Sequence, residues 1–175
     1  TAYIGVNALA GEEKNRTAEY LLTHPVSRSR VVFEKLACVL CQILILNAVS
    51  MLTSLIAVRA IGESLQMKEF LLLHAAYLLL QAEIAAVCFA VSAALRRSGI
   101  GAGLGLAAVL YFLNLIANIS EDAEWLKYIT PFGYAEAANI ITKAEIAPVP
   151  AAIGCLVTAA GIAAAFIIYD QKDIL

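Results

Sequence analysis

Charge is what this sequence has least of. Only 15% of its 175 residues are Asp, Glu, Lys or Arg, against about 25% in an ordinary soluble domain. The basic residues form no block, which leaves no footprint for nucleic acid. The net charge of -2 points to no particular partner. Histidine occurs twice, as His24 and His74, and neither a zinc H-E-x-x-H pair nor a Ser/His/Asp arrangement is present. The sequence contains no G-x-x-x-x-G-K-(S/T) phosphate loop. Its opening TAYIGVNALAG has no basic stretch leading to a small-residue cleavage site, so it does not read as a signal peptide.

What the sequence has in excess is apolar surface. Hydrophobic residues make up 62% of it, more than one soluble core of this size could cover. Four apolar runs stand out: residues 33–58, 70–95, 100–119 and 149–169. A run of 18 or more apolar residues crosses roughly 30 Å of hydrocarbon as a helix. Helix is the expected form because lipid offers the backbone no hydrogen-bond partners. Residues 1–10 are apolar but too short to span, and read as the end of an earlier span. The fold class is therefore all-α: one transmembrane helical bundle over residues 1–175.

The four cysteines, Cys38, Cys41, Cys88 and Cys155, all lie inside apolar runs, where a thiol behaves as a small hydrophobe. Cys38-x-x-Cys41 has redox spacing but no thioredoxin-like strand pattern around it. No metal site is expected.

Alternating spans sort the basic residues. Lys14, Arg16, Arg28, Arg30, Lys35, Arg96, Arg97 and Lys172 fall on one side, and Arg59, Lys68, Lys127 and Lys143 on the other. The more basic side should be cytoplasmic. This places residues 11–32, the Arg96-Arg97 turn and the C-terminus in the cytoplasm, and residues 120–148 outside the plasma membrane. The outer stretch reads as two short helices at, or dipping into, the interface. Ser120 can cap the first, whose opening carries Glu121, Asp122 and Glu124. Thr130-Pro131 can start the second. Trp125 and Tyr128 suit a membrane surface.

The segment GEEKNRTAEYLLTHPVSRSRVVFEKL, residues 11–36, is unlike a plain membrane loop. Glu12 to Thr23 can form a short helix carrying Tyr20, Leu21 and Leu22, which need an apolar surface to dock on. Pro25 ends it by excluding His24 from helical geometry, and Ser27 can cap the helix that re-enters the membrane.

Glu13, Thr17-Ala18-Glu19-Tyr20-Leu21-Leu22, Pro25-Val26-Ser27-Arg28 and Lys35 resemble the cytoplasmic loop of ABC type-2 permeases, the export class. Arg16 stands where that family commonly has Gly. Trp125-x-x-Tyr128-Ile129-Thr130-Pro131-Phe132-x-Tyr134 is similar to the family's external region, and Tyr169-Asp170-x-Lys172-Asp173-Ile174-Leu175 to its ending. The resemblance implies a membrane subunit that forms the translocation path with a second permease subunit. It implies that Glu13, Thr17, Glu19, Tyr20, Leu21, Leu22, Pro25 and Arg28 couple to a separate cytoplasmic ABC ATPase. That partner would bind ATP and Mg; this chain would need no cofactor of its own.

Polar residues inside the spans are the remaining candidates. Glu83 lies near the middle of the second span, with Gln81 close by. An intramembrane carboxylate costs roughly 2.5–3.5 kcal/mol on insertion scales, so it must face protein or water, or be protonated. It has two readings, a functional group or a structural hydrogen bond to a neighbour such as Asn114 or Asn118. His74, near the outer end, reads as interfacial. Asn47, Ser50 and Ser54 share one face of the first span, and Asn114 and Asn118 one face of the third. They either line a path or bond between helices. Gly99, Gly101, Gly103 and Gly105 form two interleaved G-x-x-x-G patterns that read as a packing face, at a subunit interface or within the bundle.

Two other classes compete. An intramembrane CAAX-type protease resembles E-E-x-x-x-R followed by F-x-x-x-H and a further His. Here Glu12-Glu13-x-x-Arg16 is one residue short, Phe70-x-x-x-His74 fits, and no later His exists. A non-transporting membrane scaffold has no specific feature in its favour.

Overall fold

A computed structural model describes residues 1–14, 27–62, 65–95 and 99–172. The elements in order are α1 (Ala2–Lys14), α2 (Arg28–Ile61), α3 (Met67–Ala94), α4 (Ile100–Ile119), a 3-10 helix (Glu121–Tyr128), α5 (Ala137–Lys143) and α6 (Pro148–Gln171). The described residues contain no strand. The helices α2, α3, α4 and α6 are long and apolar enough to cross a membrane.

The helices α2 and α6 outrun their apolar runs at both ends, and α3 at its start, because polar flanks can stay helical in water and headgroups. The 34 residues of α2 reach about 51 Å at 1.5 Å per residue, well beyond the hydrocarbon. Ser27 occupies the N-cap position of α2 as expected, but its side chain makes no cap bond. Its carbonyl accepts from the Arg30 and Val31 amides instead. The far end of α2 closes on Gly62, whose φ of 78° suits a residue without Cβ.

The hub is α3, which packs against α6, α1, α2, α5 and α4. Lipid gives no hydrophobic drive between helices, so close packing over small residues must hold them. A Cβ on Gly5 of α1 would lie 2.6 Å from the Ala85 carbonyl oxygen of α3. A Cβ on Gly161 of α6 would lie 3.1 Å from the Ala86 backbone. These contacts let Leu9, Ile43, Phe89, Ala165 and Tyr169 meet in one core.

Short as it is, α1 lies deep in the bundle, with Val6, Leu9 and Ala10 buried. The buried Ser92 hydroxyl of α3 accepts from the Leu9 and Ala10 amides of α1, at 3.1 and 2.9 Å. Gly5 beside Ala85 and Leu9 beside Ser92 make α1 and α3 parallel.

Both therefore finish at one end of the bundle, where α2 begins and α6 stops. Arg28 donates to the Asp170 and Lys172 carbonyls, and Lys172 donates to the Leu95 carbonyl. Two cations thus sit on the open carbonyls where α6 and α3 end, which the helix dipole favours.

At the opposite end the chain turns back into the bundle. The 3-10 helix packs along α4, and the Thr130 hydroxyl donates to the Leu110 carbonyl at 2.9 Å. Leu110 lies nine residues before the end of α4, so the tip dips about 13 Å down that helix. Phe132 meets Tyr111 edge-on, with ring centroids 5.5 Å apart.

Two expectations for this segment are corrected. The Ser120 side chain makes no cap bond, and the helix after it is 3-10 rather than α. Pro131 lies in a turn, where the Thr130 hydroxyl also accepts from the Phe132 amide. Bonding to its own backbone, Thr130 tightens a turn instead of starting a helix, and the second helix waits until Ala137.

Candidate functional site

Glu83 is placed by the middle of α3 and is buried. Its partner comes from the dipping segment, not from α4. The Tyr134 hydroxyl donates to Glu83 Oε2 at 2.7 Å, and Tyr134 is buried as well. The third wall is Gly154 of α6. A Cβ there would lie 2.6 Å from Glu83 Oε2 and 3.2 Å from the Tyr134 hydroxyl. Three chain segments thus converge on one carboxylate, and the absence of a side chain at Gly154 makes the room. A phenol can donate to a carboxylate in either protonation state, so the pairing satisfies Glu83 whether or not it is charged.

Neither expected partner is used. Asn118 points outward, and the buried Asn114 Oδ1 has no hydrogen-bond partner among the described residues. Gln81 Oε1 is in the same position. These two amide oxygens are open acceptors that water or a solute could fill.

On α2, Asn47 donates to the His74 carbonyl at 3.3 Å, so its role is an interhelical bond. Ser50 and Ser54 are half-buried on the same face. His74 is buried within the bundle, with Nδ1 2.9 Å from the Phe70 carbonyl and its ring tilted against Phe70, centroids 4.4 Å apart.

The four glycines divide. Gly99 and Gly103 pack on Val6 of α1, while Gly101 and Gly105 have nothing within 4 Å of an added Cβ. Cys88 is buried against the Gly103 carbonyl. Cys38 and Cys41 are exposed on α2, where Cys38 joins Asn7, Lys35 and Gln42 around a groove of about 400 Å³. The described residues hold no group of three His, Cys, Asp or Glu that could grip a metal ion.

Of the coupling residues, Thr17, Glu19, Tyr20, Leu21, Leu22 and Pro25 lie outside the described residues. Glu13 falls in the last turn of α1. Arg28 binds the end of α6.

A family model, ABC-2 family transporter protein, matches residues 1–174. The chain belongs to the ABC-2 transporter family. It is a multi-pass membrane permease of an ABC transporter, in agreement with the loop, external and C-terminal motifs. A search of curated proteins and a search of solved structures each found no match.

Within this permease, Gly154 carried no warning in the sequence, and Tyr134 stood there only as the last residue of the external motif, with nothing to tie it to Glu83. Both lie far from Glu83 along the chain. The cost of Glu83 itself demands a donor without naming it.

The protease arrangement does not assemble. Glu12 and Glu13 follow Ala10, which neighbours Ser92, whereas His74 lies 18 residues before Ser92 on the parallel α3. That is about 27 Å along the helix, too far for a shared reaction centre.

Proposed function

We propose that the permease is the membrane half of an ATP-driven exporter in the plasma membrane. In this reading a cytoplasmic ABC ATPase, which binds ATP and Mg, docks on residues 11–32. A second permease subunit completes the translocation path. Eight of the twelve basic residues fall in the segments that join at the Arg28 end, which supports a cytoplasmic side for that end and for the C-terminus with it.

The supporting observation is mechanical. The docking segment leaves from the end of α1 and returns at Ser27. There Arg28 is bonded to the end of α6, and Lys172 ties that end to Leu95 of α3. A displacement of the segment therefore loads α1, α2, α3 and α6 together. Rigid helices with shared end contacts can carry such motion to the Glu83 region, where the outer segment is latched by Tyr134.

Co-purification tests this reading. The permease is expressed with a candidate ABC ATPase, extracted in mild detergent, and assayed for ATP hydrolysis and transport in liposomes. A complex is expected that Glu19→Arg dissociates and in which Pro25→Ala hydrolyses ATP without transport. Retained coupling in both variants would remove the docking role.

A further inference from the structure

We propose that the groove between α2, α3 and α5, at the end away from Arg28, binds an organic cation with an apolar body. The groove has a volume of about 640 Å³, within the roughly 300–1,000 Å³ of small-molecule sites. Its walls include Glu69, Phe70, Leu73, His74, Tyr77 and Ile141.

The chemistry of these walls selects the sign of the ligand. Glu69 is half-buried and makes no ion pair among the described residues. The Tyr77 hydroxyl likewise has no hydrogen-bond partner among them. A carbonyl can only accept, so His74 Nδ1, 2.9 Å from the Phe70 carbonyl, carries a proton. In the neutral ring Nε2 is then an acceptor. Carboxylate and phenol therefore each have an oxygen lone pair to offer, and the neutral imidazole a nitrogen one.

The ring faces act in the same sense. Phe70 and His74 are tilted at 45° to each other with centroids 4.4 Å apart, and Tyr77 stands edge-on to His74 at 6.3 Å. Aromatic faces attract a cation within about 6 Å, by roughly 0.5–2 kcal/mol. Arg59, Lys68 and Lys143 are near in the chain, yet no Lys or Arg is among the described residues that line the groove. An anion would meet an unpaired carboxylate with no Lys or Arg beside it among the described lining residues. Leu73 and Ile141 supply the apolar surface for the rest of the molecule. The inference concerns binding alone and does not depend on coupling to an ATPase.

The probe is tritiated tetraphenylphosphonium, with the full chain in lipid nanodiscs and binding read by scintillation proximity. Saturable binding is expected, weakened tenfold or more by Glu69→Gln and by Tyr77→Ala. Tetraphenylborate, of the same shape and opposite charge, should not compete. Glu145→Gln, an exposed acid outside the groove, should bind like the parent. The proposal is overturned by binding no greater than to empty nanodiscs, or by Glu69→Gln within twofold of the parent. Equal competition by tetraphenylborate would show an unselective apolar cleft. An equal loss in Glu145→Gln would show mere surface potential.

Discussion

Tyr134→Phe removes one oxygen from the buried junction of α3, α6 and the dipping segment, and leaves the ring packing in place. Glu83 Oε2 then loses the donor now 2.7 Å away. An unsatisfied buried polar group costs about 1–3 kcal/mol. Hydrogen bonds between membrane segments measured by double-mutant cycles average only about 0.6 kcal/mol and reach about 1.7. Glu83 and Tyr134 are both buried, and the Gly154 backbone closes on Oε2 from a third side. The upper part of that range is therefore expected, a coupling of about 1.5 kcal/mol. Glu83→Leu with Tyr134→Phe removes both polar ends, so the double variant should be more stable than the two single losses add up to. Reversible unfolding in mixed micelles with rising dodecyl sulfate measures all four proteins. Helix ellipticity reports the bundle, and fluorescence of Trp125, the one tryptophan in the sequence, reports the outer segment. In Tyr134→Phe the Trp125 signal should change at lower detergent than the ellipticity. A coupling below about 0.3 kcal/mol would refute the argument that this bond holds the segment down.

Two further expectations follow from the packing of α1. Gly103→Ala puts a methyl 2.8 Å from Val6 and should cost about 1–3 kcal/mol by overpacking, whereas Gly101→Ala meets open space and should stay within about 0.5 kcal/mol; thermal unfolding in detergent separates them, and equal effects would place α1 elsewhere. Ser92→Ala removes the additional acceptor that the Leu9 and Ala10 amides share beyond their own helix and should cost about 0.5–1.5 kcal/mol, with faster hydrogen exchange at those two amides and not at Phe89 or Ala93.

The membrane spans were legible because a single quantity, apolar length, governs them. The helix α4 covers residues 100–119, between Gly99 and the polar stretch that opens at Ser120. The limits of α2 were less legible: nothing apolar distinguishes Arg28 from the loop before it, and the helix continues on backbone bonding from Ser27. The outer segment was legible as structure but not as shape. Acids after Ser120 suggest a capped α-helix, yet residues 121–128 are 3-10, and Thr130, anchored on Leu110, holds a turn at Pro131. Interleaved glycines look equivalent in a row, and only the position of Val6 distinguishes Gly103 from Gly101.

By itself the sequence determined the solvent of this protein, the class of its fold and its family. Those properties depend on local composition and on motifs that survive being read one residue at a time. Tertiary structure decided which polar groups meet. Glu83 announced that it needed a partner, but Tyr134 lies 51 residues away, and its reach depends on how far the outer segment dips. Helical periodicity fixes the face a side chain occupies. It does not fix the depth and rotation of one helix against another, which are set by close contacts such as Gly5 on Ala85 and Gly161 on Ala86.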